Sequence, residues 1–142
     1  MFEPRLRIGV VGYCPPTKFD ESKALIFIKD AFDKLEKLYN GHEKSVVSGL
    51  TNVGIPRLAY EEAKRRNWET VGIACKKTDE YERFPVDLEI VTGENWGDES
   101  PRFLRSIDVL VRVGGGKQAL DETNEAKKRG KIVLECELEA LS

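Results

Sequence analysis

The chain has 142 residues, of which 40% are hydrophobic, and its 23 basic and 25 acidic residues leave a formal net charge of −2. This balance argues against a dedicated nucleic-acid-binding protein, which needs a clustered basic face to displace phosphate counterions. The three cysteines include no CxxC pair and there is a single histidine, so we expect no disulfide framework, zinc site or other metal site.

The composition also indicates where in the cell the protein is expected. No apolar stretch approaches the length that spans a bilayer, and the N-terminal segment is predicted to be a first strand and not a signal peptide. Unpaired cysteines fit a reducing compartment. We therefore expect a cytoplasmic protein that binds neither a membrane nor nucleic acid, with residues 1–142 forming a single domain.

Short β-branched segments alternate with longer amphipathic segments, which is typical of βαβ units on a parallel sheet. The strand candidates are 6–12, 45–48, 70–75, 88–91, 107–113 and 131–136. The helix candidates are about 20–39, a segment from Pro56, a segment with Ser100 as N-cap, and 117–129. Segments 76–87 and 92–99 are predicted as loops. The predicted fold class is therefore α/β: a three-layer, Rossmann-like single domain with a parallel sheet of about five strands.

Three turns fall at the carboxyl ends of predicted strands, at 13–17, 49–54 and 114–117. In an open parallel sheet, ligands bind beyond these ends, where helix N-termini point backbone N–H groups outwards. Two of the turns are rich in glycine, which allows close approach of an anion to the backbone. Lys117 would add a positive charge. The alternative is that the glycines only form tight turns between strand and helix.

Known phosphate motifs match the second glycine turn only in part. A Walker loop needs Ser or Thr after Gly116-Lys117, where the chain has Gln118, and a glycine where it has Val111. The segment 114–119 satisfies G-x-G-x-x-A, but a dinucleotide fold needs further strands after that unit. We therefore expect a ligand of mononucleotide size.

The two glycine turns carry a family resemblance. The segment 49–56 (GLTNVGIP) resembles G-G-x-x-x-G-x-M-G, and the segment 113–122 (VGGGKQALDE) resembles P-G-G-x-G-T-x-x-E. Both motifs are found in the LOG-like Rossmann superfamily. That group includes cytokinin-activating LOG proteins, proteins long mislabelled as lysine decarboxylases, and molybdenum-cofactor carrier proteins.

The resemblance implies a nucleotide-binding protein that hydrolyses the N-glycosidic bond of a nucleoside 5′-monophosphate. It implies Glu122 as the catalytic glutamate, acting on the ribose, and an arginine on the preceding helix, Arg102 or Arg105, of which we select Arg102. A carboxylate near the anomeric carbon can stabilise an oxocarbenium-like transition state or position water. The residues predicted to bind the nucleotide and its phosphate come from the two turns: Gly49, Asn52, Gly54, Gly114, Gly115, Gly116, Lys117 and Gln118.

The chain departs from the second motif at Gln118 and Ala119, where the family has glycine and threonine. These departures favour the alternative function, a non-catalytic carrier or sensor of a nucleotide-like or phosphorylated cofactor. Gln118 can instead contact an amide or base edge of a ligand through its own donor and acceptor. In either case the expected partner is a nucleotide-like small molecule, and no metal or resident cofactor is expected. The resemblance also implies a homodimer or higher homo-oligomer.

One aromatic residue lies outside the motifs. Trp96 stands in a loop, next to Gly97. An exposed aromatic side chain can stack on a base, although a loop tryptophan also serves to cover the core or an interface. The sequence leaves both roles open.

Overall fold

A computed structural model describes residues 4–14 and 16–141. The strands are β1 (Arg5–Gly12), β2 (Glu43–Ser48), β3 (Glu69–Ala74), β4 (Leu88–Val91), β5 (Val109–Val113) and β6 (Ile132–Cys136). The helices are α1 (Glu21–Leu38), α2 (Gly54–Arg65), α3 (Ser100–Arg105) and α4 (Lys117–Lys128), and a short 3-10 helix spans Lys76–Glu80. The predicted α/β fold with a parallel sheet and flanking helices is confirmed.

The six strands form one sheet in the order β4-β3-β2-β1-β5-β6, and all neighbouring pairs are parallel. From β1 the chain builds outwards through β2, β3 and β4, and then crosses back to place β5 on the other side of β1. The strand order therefore reverses between β1 and β5. In sheets of this kind, that reversal opens a crevice at the carboxyl ends of the strands.

The helices cover both faces of the sheet, which makes three layers. The face with α1 and α2 buries Ile8 and Val10 of β1, and the opposite face packs against α3 and α4 around Leu110. Gly9 faces α3, and a Cβ on Gly9 would come within 2.9 Å of the Phe103 ring. The absence of a side chain at this position thus lets a short helix pack closely on the central strand.

Two details differ from the sequence-based expectation. All six strand candidates form strands, so the sheet in the described residues has six strands and not about five; the short segment Leu88–Val91 pairs with β3 as an edge strand. Helix α3 begins at Ser100, and Glu99 occupies the N-cap position without a side-chain capping bond. The Ser100 hydroxyl donates instead to the carboxylate of Glu122, so its predicted capping role is wrong.

Among residues 4–14 and 16–141, no helix has both the length and the apolar character needed to cross a membrane.

Candidate functional site

A cavity of about 310 Å³ lies at the carboxyl ends of the central strands, where the strand order reverses. Its floor comes from apolar residues of β1 and β3 together with Phe103 of α3. Its polar side chains include Glu99, Gln118 and Glu122. Among the described residues, no lysine or arginine lines it, so the charged side chains that a bound ligand meets there are acidic.

The turn after β5 brings helix α4 to this cavity through two glycines with positive φ. Gly114 has φ +59° and Gly115 has φ +106°. A Cβ at Gly115 would lie 2.6 Å from the Ala119 side chain, and the Cα of Gly12 would be 3.2 Å away. These two glycines therefore serve close packing between the turn, β1 and α4, and they do not line the cavity.

Gly116 differs from its two neighbours. Its backbone is extended, with φ −91° and ψ −155°, and a Cβ added there would meet no atom within 4 Å. Gly116 lines the cavity and is the N-cap of α4, where it has no side chain to accept the helix's first N–H groups. The N-terminus of α4, with its partial positive charge, is thus open to a ligand.

Glu122 lies six residues beyond Gly116 on α4 and lines the cavity. It is 7% exposed, and its Oε2 accepts a hydrogen bond of 2.7 Å from the Ser100 hydroxyl. Desolvation raises the pKa of Glu122 from its ordinary value of 4.5 to about 7, and the charges of Glu99 and Asp121 act in the same direction. Hydrogen bonds from Ser100 and Gln118 oppose this rise. The carboxyl group therefore exchanges a proton near neutral pH.

Glu99 is a second buried acid in the cavity, and it ends a segment, 92–99, that the sequence predicts to be a loop. It is 6% exposed. Its Oε1 accepts a 2.8 Å bond from the Gly97 N–H, and its Oε2 lies 3.4 Å from the Gln118 amide nitrogen, which donates to it. Nothing in the local sequence distinguishes Glu99 from the exposed acids around it, because its burial depends on α4 packing beside α3.

The other glycine turn, residues 49–54, is covered by the segment 82–84. Thr51 forms an antiparallel bridge with Arg83, the Asn52 N–H donates to the Glu82 carbonyl at 2.8 Å, and the Asn52 amide donates to the Glu82 carboxylate at 2.9 Å. Gly49 lines the cavity, whereas Asn52 and Gly54 do not. Only the first part of this turn therefore faces the cavity.

Two predicted cations also lie outside the cavity lining. The side chain of Lys117 is 88% exposed and pairs with Asp121 at 2.6 Å. Arg102 is exposed on α3. Of the residues that the sequence predicted, the structure brings together Gly49, Gly116, Gln118 and Glu122. The roles assigned to the others remain predictions.

Two aromatic side chains from separate segments line the cavity. Tyr81 follows the 3-10 helix and Trp96 belongs to the loop 92–99, and their ring centroids are 6.3 Å apart at an angle of 55°. Tyr81 is 36% exposed and Trp96 is 45% exposed. Both rings thus keep a large part of their surface uncovered while lining the cavity.

The described residues contain no group of three or more His, Cys, Asp or Glu side chains that is arranged to hold a metal ion. The cavity lining offers two carboxyl groups, an amide, a thiol, hydroxyl groups, aromatic surface and the N-terminus of a helix.

We next compared the chain with protein families and with proteins of known structure. The model of the SLOG cluster4 family matches residues 5–141. No curated protein matches the sequence.

Solved structures with the same fold share about a quarter of the sequence. The molybdenum cofactor binding protein from the phototrophic bacterium Rippkaea orientalis is 28% identical with a TM-score of 0.70, over 95% of this chain and 77% of that one. The molybdenum cofactor carrier protein from Chlamydomonas reinhardtii is 26% identical with a TM-score of 0.66, over 92% of this chain and 76% of that one. A structural-genomics target, TM1055, is 25% identical with a TM-score of 0.69, over 90% of this chain and 72% of that one.

Proposed function

The chain belongs to the SLOG cluster4 family, and from that premise we propose that it binds a phosphorylated, nucleotide-like small molecule in the cavity at the carboxyl ends of β1, β2 and β3. The observation that carries this proposal is that the open N-terminus of α4 at Gly116 and the buried carboxyl group of Glu122 line the same cavity. A helix N-terminus supplies unpaired N–H donors and a positive partial charge for a phosphate. The carboxyl group supplies an acceptor for a ribose hydroxyl or a comparable donor.

The electrostatics of the cavity limit how a phosphate can bind. Because no lysine or arginine lines the cavity in the described part of the chain, the phosphate must depend on backbone donors and on the helix dipole. A phosphate close to Glu122 also favours the protonated form of that carboxyl group, whose pKa already lies near 7. We therefore expect binding to weaken as the pH rises above neutrality.

The test is calorimetric titration with GMP, IMP, AMP and CMP, and with the corresponding nucleosides. We expect each monophosphate to bind more tightly than its nucleoside. Gly116→Val places a side chain in the open space at the start of α4 and should remove that difference. Leu120→Ala is the matched control, since Leu120 lies on the same helix, is 43% exposed and does not line the cavity. Equal affinities for nucleotide and nucleoside would contradict the proposal.

Hydrolysis of the bound nucleotide is a second candidate function, and the environment of Glu122 favours it. A carboxyl group with a pKa near the working pH is suited to general acid–base catalysis. In this reaction the bond between the anomeric carbon and the base nitrogen breaks, the hydroxyl of water adds to the carbon, and the base leaves with the proton. Glu122 would carry that proton transfer or stabilise the cationic sugar.

Chromatography of the free base distinguishes hydrolysis from simple binding. If the protein is a hydrolase, it releases the base from at least one monophosphate, and Glu122→Gln stops the release while leaving nucleotide binding measurable. If no base is released from any bound nucleotide, hydrolysis of these substrates is wrong and the carrier alternative is favoured. The carrier alternative also draws on the similarity to two molybdenum cofactor proteins of known structure. Its direct test is titration with that cofactor and competition by nucleotides.

A further inference from the structure

We propose that Trp96, Tyr81 and Glu99 form the subsite for the heterocycle of the ligand, and that this subsite selects an aminated oxo-heterocycle such as guanine over adenine. The inference rests on the proposed binding of a nucleotide-like molecule. It goes further by naming the residues that select the base and the class of base that they select.

The aromatic pair supplies the stacking surface. Trp96 and Tyr81 come from two different segments and both line the cavity, yet each leaves more than a third of its surface uncovered. Large apolar rings in that position lose solvent contact when a planar ligand covers them. Stacking on an aromatic side chain tolerates any base, because every base has a π-face. The aromatic pair therefore accounts for affinity, and selectivity must come from another group.

The loop that carries Trp96 is held in shape before any ligand arrives. The Asp98 carboxylate accepts hydrogen bonds from the N–H groups of Glu94 and Asn95, at 3.1 and 2.9 Å. The Lys76 N–H donates to the Gly93 carbonyl at 2.9 Å, and the Lys76 ammonium pairs with Glu94 at 2.8 Å. These contacts join the loop to the 3-10 helix that precedes Tyr81. A subsite fixed in this way loses little conformational entropy when a base binds.

Glu99 ends the same loop and supplies the selectivity. Its two oxygens accept from the Gly97 N–H and the Gln118 amide, so both act as acceptors in the folded protein. A carboxylate has about four acceptor positions, which leaves room for two further donors from a ligand. A group that faces Glu99 must therefore donate hydrogen bonds.

Among the common bases, guanine meets this requirement best. Its ring N–H and adjacent amino group both donate, and they can reach a carboxylate together. The corresponding edge of adenine pairs an amino donor with a ring acceptor, which a carboxylate repels. Hypoxanthine keeps the ring N–H but lacks the amino group, so it should rank between the two. Because the bidentate contact is charge-assisted, it is stronger than a contact between neutral groups.

The test combines calorimetry with tryptophan fluorescence, using GMP, IMP and AMP as probes. We expect wild-type protein to bind GMP about tenfold more tightly than AMP, with IMP between them, as a bidentate contact to a base commonly provides. Glu99→Gln keeps the shape of the side chain but replaces one acceptor with a donor, and it should abolish this order. Trp96→Ala should weaken all three nucleotides by a similar factor of about ten. Leu120→Ala is again the control and should match wild type.

Fluorescence identifies the ring that stacks. The chain has two tryptophans; Trp68 lies outside the cavity lining and packs 5.1 Å from the ring of Phe32. GMP should quench the emission of wild type, and Trp96→Phe should retain binding by calorimetry while losing the quenching.

The outcomes separate this inference from the proposed function. Phosphate-dependent binding with equal affinities for GMP and AMP, or with Trp96→Ala equal to wild type, overturns the heterocycle subsite and leaves the proposed function standing. Failure of the wild type to bind any of the monophosphates overturns both.

Discussion

Two glycine-rich turns of similar appearance lie at the same edge of the sheet, and the fold uses them differently. The turn after β5 ends at Gly116 in open space, with the N-terminus of α4 exposed to the cavity. The turn after β2 is covered by the segment 82–84, which pairs with residues 50–52 through backbone hydrogen bonds. The first turn is therefore available to a ligand along its last residue, whereas the second is largely occupied by the protein itself.

The difference shows that a glycine pattern does not by itself define a ligand site. In the turn after β5, Gly114 and Gly115 are required by the backbone, and only Gly116 leaves room that another molecule can fill. In the turn after β2, the backbone N–H and the side-chain amide of Asn52 are already bonded to Glu82. Whether the N–H groups of a turn remain free for a ligand depends on the segments that pack against that turn.

The largest expected effect comes from comparing two adjacent glycines of the open turn. Gly115→Ala combines a left-handed backbone with a Cβ that overlaps Ala119, so we expect the free energy of unfolding to fall by about 2–4 kcal/mol. Gly116→Ala adds a methyl group to extended backbone in open space and should change stability by less than about 1 kcal/mol. Urea unfolding of both variants checks this. Equal losses in the two variants would show that the turn acts as a single packed unit and would remove the distinction between these glycines.

The next largest effect is the pH dependence of stability that Glu122 causes. In the folded protein the pKa of Glu122 is about 7, whereas its ordinary value is 4.5. The folded state therefore binds the proton more strongly, and ionisation of this buried group destabilises the fold progressively as the pH rises from 4.5 to 7. We expect Glu122→Gln to be more stable than wild type by about 1–3 kcal/mol at pH 8 and similar to wild type at pH 4.

Urea unfolding at the two pH values provides the measurement. The amide oxygen of the variant can still accept from Ser100, so the comparison isolates the charge. Asp121→Asn serves as a control, because Asp121 lies on the same helix but its side chain is 60% exposed. A stability difference for Glu122→Gln that is independent of pH would mean that Glu122 ionises normally in the folded protein.

Most of the sheet could be predicted from local sequence, and much of the cavity could not. The periodic apolar residues of α1 and the β-branched segments identify their elements directly, because burial of one face sets their spacing. Gly116 and Gln118 could be predicted because they belong to one glycine-rich segment, and Glu122 because that segment resembles the P-G-G-x-G-T-x-x-E motif. Glu99 and Tyr81 were missed, since only the packing of α3 beside α4 and the path of the chain after β3 bring them to the cavity. Pairing of residues 50–52 with 82–84 is likewise a contact between distant segments that no local pattern encodes.

A smaller effect on stability is expected at the covered turn, residues 49–54, where the Tyr60 hydroxyl contacts the carbonyl group of the first residue, Gly49. The buried Tyr60 hydroxyl accepts from the Ser48 N–H at 3.0 Å, and it lies 2.8 Å from the Gly49 carbonyl and 2.9 Å from the Val71 carbonyl. Tyr60→Phe leaves the Ser48 donor unpaired in the core and should lower stability by about 1–2 kcal/mol. Thermal or urea unfolding measures the loss. Tyr39→Phe removes the same atom at the less buried end of α1 and should cost less; an equal cost would show that Tyr60 does not fasten the turn.

The smallest expected effect is that of Asn52→Ala, which tests whether the covered turn binds the phosphate. Asn52→Ala removes one exposed hydrogen bond to Glu82 but leaves the backbone bonds of residues 50–52 in place, so stability should fall by less than about 1 kcal/mol. Because Asn52 does not line the cavity, the affinity for monophosphates should equal that of wild type, whereas Gly116→Val should reduce it. Calorimetry on the two variants places the phosphate at one turn or the other. A large loss of affinity in Asn52→Ala with unchanged stability would mean that ligand binding displaces the segment 82–84, and that the two turns act on the ligand together.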